Sequence, residues 1–124
     1  MAIRAVVVDD DASNRALLRM VFESDPRVDL IGEAEDGLAA IKLANLEHPD
    51  VIILDINMPL MDGLSVIPEI LDISPESKIL VFSSADEGYR EQVIELGAHD
   101  FVQKGIDVGD LSERIIDLTA ATSS

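Results

Sequence analysis

The chain has 124 residues, 48% of them apolar, which is near the commonest domain size and supplies enough material for one core. Nine Lys and Arg against 25 Asp and Glu leave a formal charge of -16, which opposes direct binding to nucleic acid or to an anionic membrane surface. The absence of cysteine excludes a disulfide framework, thiolate chemistry and a Cys-based zinc site, while no run is long enough for a signal-peptide core or a membrane span, so a cytoplasmic protein is expected.

The first apolar run, "IRAVVVD", reads as a buried strand and meets Asp9, Asp10 and Asp11 at its end. At about 4 Å and an effective dielectric near 20, each pair of like charges repels by roughly 4 kcal/mol, so something must offset the cost. Asp11 or Ser13 suits a helix cap, and the pairs Leu17 with Val21 and Leu18 with Phe22 follow at helical spacing. A second strand, "VDLIGEA", leads through the turn "EDG" to a helix with Leu38, Ile41 and Ala44 on one face, ended by "EHPD".

The third strand, "VIILD", delivers Asp55 and is followed by the loop "NMPLMDG", where Pro59 fixes its own backbone angle and restricts Met58. Gly63 allows a tight entry into a helix with Leu64, Ile67 and Leu71, and Pro68 is expected close to its first turn, where N-H groups lack intrahelical partners. "KILVFS" is the fourth strand and delivers Ser83 and Ser84. Tyr89, Val93 and Leu96 mark the next helix, with Gly97 at its C-terminus; "DFVQK" is the fifth strand, ending in Lys104; Leu111, Ile115 and Leu118 mark the last helix. Thr119 to Ser124 reads as a frayed tail or the start of a linker.

Five β-α repeats predict one α/β domain over residues 1–124: a doubly wound five-stranded parallel sheet with five helices on its two faces and right-handed crossovers. Ligands bind such sheets outside the carboxyl ends of the strands. Asp9, Asp10, Asp55, Ser83 and Lys104 stand at those ends, and the flavodoxin-like order 2-1-3-4-5 would bring them together. Clustered carboxylates suit Mg²⁺, whose charge would relieve the repulsion.

These residues carry a resemblance. The acidic pair Asp9-Asp10, "DINMPLMDG" from Asp55, "VFSSA" around Ser83 and "GAHDFVQK" ending at Lys104 together resemble the receiver domain of a two-component response regulator, over essentially the whole chain. The resemblance implies that Asp55 accepts a phosphoryl group, that Asp10 binds Mg²⁺ directly, and that Asp9 does so directly or through water. Asp55 and the backbone carbonyl of Asn57 would complete the protein ligands. It implies that Lys104 pairs with a phosphoryl oxygen, that Ser83 is the switch hydroxyl, and that Phe101 is the aromatic that turns inward with it. Ser84 is the weaker candidate because adjacent strand residues face opposite ways.

The implied partners are a histidine kinase or phosphotransfer protein upstream and a downstream protein or fused output domain. The surface of the fourth helix, fifth strand and fifth helix would read the switch, and the family allows a phosphorylation-linked homodimer. Such a module catalyses only its own phosphorylation and dephosphorylation. "ESDPRVDLIGEAEDG" and "ELGAHDFVQK" look similar to receivers joined to DNA-binding or methylesterase domains. The chain departs from the family in having Gly105 and Ile106 where many members place proline after the lysine, and Ala85 two positions past the switch hydroxyl, which predicts slower self-dephosphorylation than an Ala85→Glu variant would show. The alternatives are a Mg²⁺-dependent hydrolase with an aspartyl-phosphate intermediate and a flavodoxin-like cofactor binder. The first lacks a cap or lid insertion; the second finds 3% aromatic residues, no Trp and no Gly-rich phosphate loop.

Overall fold

The structure, a computed structural model, describes residues 2–57, 63–85, 87–105 and 108–120. Strands β1 (Ile3–Val8), β2 (Val28–Ala34), β3 (Val51–Leu54), β4 (Lys78–Ser83) and β5 (Asp100–Gln103) alternate with helices α1 (Ala12–Glu23), α2 (Gly37–Glu47), α3 (Gly63–Ile73), α4 (Arg90–Glu95) and α5 (Val108–Ala120). The strands form one parallel sheet in the order β2-β1-β3-β4-β5, as the β-α repeat predicts. Alternation along each strand feeds two cores. Ala5 and Val7 pack with Leu18, Phe22, Leu111 and Ile115 beneath α1 and α5, while Val6 and Val8 pack with Ala40, Ala44, Ile67, Ile70, Val93 and Phe101 beneath α2, α3 and α4.

Helix ends follow local chemistry. The carboxylates of Asp11 and Asp36 cap α1 and α2 by accepting the N-H groups of Ser13 at 2.9 Å and Ala39 at 2.8 Å. His48 closes α2 in the left-handed region with φ 44°, and Gly97 turns the chain after α4 with φ +117°, a conformation that favours glycine. No described helix is long and apolar enough to cross a membrane.

Several sequence expectations are corrected. Pro68 lies inside α3, past its first turn, because the described helix already begins at Gly63. Leu17 and Leu38 are 44% and 58% exposed, since α1 buries the Leu18-Phe22 stripe and α2 buries its small residues, Ala40 and Ala44. Tyr89 belongs to a 3-10 turn, Glu87–Tyr89, and is exposed; α4 contributes Val93 to the core. Thr119 is part of α5, its hydroxyl donating to the Ile115 carbonyl at 2.9 Å. Met58, Pro59, Ile106 and residues 121–124 lie outside the described residues.

Candidate functional site

Three strand ends and the turn after β5 supply the site. β1 ends at Val8 and β3 at Leu54, neighbours in register, so the next residues, Asp9 and Asp55, emerge side by side; the N-H of Asp55 donates to the Val8 carbonyl at 2.9 Å. The carboxylates of Asp9, Asp10 and Asp55 each place an oxygen within 4.8 Å of the others. Asp9 and Asp55 are buried and Asp10 is exposed, so the cluster has a solid floor and an open side.

Donors from three directions orient the Asp55 carboxylate. Its Oδ1 accepts the Asn57 N-H at 2.9 Å and the Ser83 hydroxyl at 2.9 Å, and its Oδ2 accepts Lys104 Nζ at 3.2 Å. The same ammonium reaches Asp9 Oδ2 at 2.8 Å, while Asp9 Oδ1 accepts the Asp11 N-H at 2.9 Å. The Lys104 N-H donates to the Ser83 carbonyl at 2.7 Å, continuing the β4-β5 ladder to the site. The ammonium is thus held by backbone geometry as well as by charge.

Charge does not balance here. Burial pushes the Asp9 carboxyl above its usual range; the hydrogen bond from Lys104 opposes that shift, and the Asp55 charge adds to it. Burial alone would lower the Lys104 ammonium, but the Asp9 hydrogen bond and the charges of Asp55 and Asp9 outweigh it and hold it above the usual lysine range. One ammonium cannot neutralise three carboxylates. A hard divalent cation fits the surplus: the donors are carboxylate oxygens, they converge from two strand ends, and the exposed Asp10 side leaves room for the waters that Mg²⁺ retains.

The structure brings Asp9, Asp10, Asp55, Ser83 and Lys104 together as the sequence suggests. Ser84 is exposed and accepts the Asn57 side-chain amide at 3.3 Å instead of facing Asp55. Phe101 is fully buried in the core under α4, with the Arg90 guanidinium 5.7 Å from its ring centroid. Ala85 is also buried, its N-H donating to Ser83 Oγ at 3.2 Å, so an Ala85→Glu exchange would have to bury a carboxylate. Gly105 follows Lys104 with φ +108°, a left-handed conformation that favours glycine.

Sequence reasoning missed Arg15. Its guanidinium reaches back from the first turn of α1 to the Asp9 carbonyl at 2.6 Å and faces Glu33 of β2 at 3.6 Å. The only signal was an arginine shortly after an acidic run, with a glutamate near the end of the adjacent strand; nothing in the spacing said that the side chain would turn backwards.

Comparison with known proteins places this geometry. A family model described as the response regulator receiver domain matches residues 5–116. The chain is 36% identical over 120 residues to protein-glutamate methylesterase/protein-glutamine glutaminase 1 of Methanosarcina acetivorans, a match covering 93% of this chain and 34% of that protein. It is 42% identical over 104 residues to the protein-glutamate methylesterase/protein-glutamine glutaminase of Caldanaerobacter subterraneus, covering 82% and 28%. The chain thus spans about a third of the length of these curated relatives. Among solved structures, the signal receiver domain of the putative response regulator NarL from Mycobacterium tuberculosis superposes with a TM-score of 0.90 at 30% identity, over 96% of this chain and 97% of that one. The response regulator domain of Thermotoga maritima CheB gives 0.87 at 31%, over 97% and 98%.

Proposed function

The chain belongs to the response regulator receiver domain family, and on that premise we propose that it takes a phosphoryl group from the phosphohistidine of a histidine kinase or phosphotransfer protein onto Asp55. The observation that carries this reading is the convergence of three carboxylates with Lys104 bridging two of them and the Ser83 hydroxyl on the third.

An Asp55 oxygen forms the new O-P bond as the donor's P-N bond breaks, and the electron pair leaves with the imidazole, which takes up a proton. Asp9, Asp10, Asp55 and the Asn57 carbonyl would hold Mg²⁺; when bound, it neutralises charge on the phosphoryl oxygens. Lys104 remains in place and exchanges its Asp55 contact for a phosphoryl oxygen. Ser83 follows the same logic: once its Asp55 acceptor is esterified, its hydroxyl turns to the phosphoryl group. Because Ser83 and Phe101 lie on neighbouring strands β4 and β5, movement of that hydroxyl is transmitted to the buried ring and to the α4-β5-α5 surface. The added charge of about -2 is the input, and altered affinity for a downstream protein or output domain is the readout.

The hydrolase alternative is not favoured, because the connections between successive elements are too short to hold an inserted cap domain. Incubation with acetyl phosphate, with and without Mg²⁺, followed by intact mass measurement tests the proposal. One added phosphoryl group that requires Mg²⁺ and is absent from Asp55→Asn is expected; no adduct where a control receiver is modified would overturn it.

A further inference from the structure

We propose that Arg15 is a positioning residue for the cation site, acting through the peptide that joins Asp9 to Asp10; the inference rests on the reading of the three carboxylates as a Mg²⁺ site. All four polar groups of Asp9 are engaged. Its N-H donates to the Ala34 carbonyl at 3.0 Å, its carbonyl accepts Arg15 Nη1 at 2.6 Å, and its two carboxylate oxygens accept Asp11 N-H and Lys104. The Asp10 carboxylate, in contrast, makes no hydrogen bond or ion pair among the described residues. What fixes the direction of Asp10 is therefore its backbone. The peptide bond is planar, so the carbonyl of Asp9 and the N-H of Asp10 turn as one unit. A guanidinium holding that carbonyl sets the plane from which the exposed acid projects.

Arg15 is itself held. Its side chain is 17% exposed, its Nε lies 3.6 Å from Glu33, and Glu33 receives two hydrogen bonds from Arg19, at 2.7 and 2.8 Å. That pair pulls the Glu33 carboxyl below its usual range through the Arg19 hydrogen bond, so Glu33 stays charged under Arg15 across the neutral range. The chain of contacts runs from β2 through Arg15 to the β1-α1 connection and ends at Asp10, which has no partner among the described residues.

Positioning and simple electrostatics predict opposite signs. A guanidinium near a cation site repels the cation, so deleting its charge would tighten Mg²⁺ binding; losing a positioning contact weakens it. The wild type, Arg15→Met, Arg15→Lys and Glu33→Gln are titrated with Mg²⁺ and followed by amide NMR shifts, and the Mg²⁺ dependence of acetyl phosphate labelling is measured in parallel. Arg15→Met is expected to weaken Mg²⁺ binding roughly 10-fold, with Lys regaining most of it and Glu33→Gln showing a smaller loss. The labelling rate at saturating Mg²⁺ should stay within about twofold of wild type, since Asp55 and Lys104 are untouched. Wild-type Mg²⁺ binding with unchanged or tighter binding in Arg15→Met overturns the inference and leaves the proposed function standing; no Mg²⁺ binding by the wild type overturns both. Should Arg15→Met not fold, unchanged binding in Glu33→Gln overturns the inference on its own.

Discussion

Replacing Lys104 by methionine removes the ammonium that bridges Asp9 and Asp55 while keeping most of the side chain's length. At an effective dielectric near 20, a 2.8 Å pair with Asp9 and a 3.2 Å pair with Asp55 correspond to gross attractions of about 6 and 5 kcal/mol. The net loss is smaller, because the ammonium no longer has to leave water; removing one partner from a buried pair costs roughly 3 to 5 kcal/mol. The side chains of Asp9 and Asp55 are only 3% and 5% exposed, which puts this site in that regime and not among surface pairs. At pH 7 without Mg²⁺, Lys104→Met should lose about 3 to 5 kcal/mol in urea denaturation and roughly 10 to 20 °C in Tm. Far-ultraviolet circular dichroism is the suitable probe, because the chain has no tryptophan.

Two dependences sharpen the test. Asp9 has a folded pKa raised above its ordinary value of 3.8, so the native state holds its proton longer than the unfolded chain, and ionising it costs stability as pH rises through that window. The penalty for losing Lys104 should therefore shrink as pH falls toward about 4 and Asp9 becomes neutral. Lys104, raised in the folded state, contributes stability that is complete below its ordinary value of 10.5 and lost as pH rises past the folded value, so the penalty should persist throughout the neutral range. Mg²⁺ should stabilise the variant more than the wild type, since it no longer competes with an ammonium for two carboxylates. A loss under about 1 kcal/mol at pH 7, unchanged by acid or Mg²⁺, would refute the reasoning, because it would place the pair in the range of a surface contact.

Ser83→Ala removes the hydroxyl from Asp55 Oδ1 and the acceptor for the Ala85 N-H, both buried, and should cost roughly 1 to 3 kcal/mol by urea denaturation; it should also reduce the amide shift change at Phe101 on phosphorylation. His99 Nδ1 accepts the Ile79 N-H at 3.0 Å, and burial together with the Lys78 charge lowers its pKa from 6.5. The unfolded chain then binds the proton more readily, so wild-type stability should fall as pH drops below about 6.5, whereas His99→Asn should show a flatter profile there; parallel profiles would remove His99 from the account. A Cβ at Gly97 would collide with Leu71 Cδ1 at φ +117°, whereas one at Gly105, φ +108°, meets nothing within 4 Å. Leu71 Cδ1 is the movable end of a side chain, so Gly97→Ala and Gly105→Ala should each lose roughly 1 to 2 kcal/mol from backbone strain in the left-handed region, and a loss under about 0.5 kcal/mol at both in chemical denaturation would contradict the strain argument.

Strands were legible because burial on both faces leaves an unbroken apolar signature, as in Val6 to Val8 and Val51 to Leu54, and because acids or hydroxyls follow at once. With the strands placed, the sheet order brought Asp9, Asp55, Ser83 and Lys104 together. Helix faces were less legible for a local reason. In α2, "GLAAIKLANLE" is apolar nearly all round, so periodicity could not choose between Leu38 and Ala40; in the fold Ala40 and Ala44 are buried and Leu38 is exposed. Pro68 misled although the helix begins at Gly63, where its glycine suggested: it is the sixth residue of α3, beyond the first-turn positions whose N-H groups lack intrahelical partners. Arg15 and His99 were invisible for a different reason: each acts by a side-chain contact to another segment's backbone, and the acceptor or donor involved carries no residue identity to read.

Hydride reduction of the phosphorylated protein tests the central claim most directly, because borohydride converts an aspartyl phosphate to homoserine and peptide sequencing by mass spectrometry then locates it. After labelling with acetyl phosphate and Mg²⁺, homoserine is expected at position 55 and at no other aspartate. Homoserine at Asp9 or Asp10 with Asp55 intact would show that the acid held by Asn57, Ser83 and Lys104 is not the nucleophile, and would contradict the account.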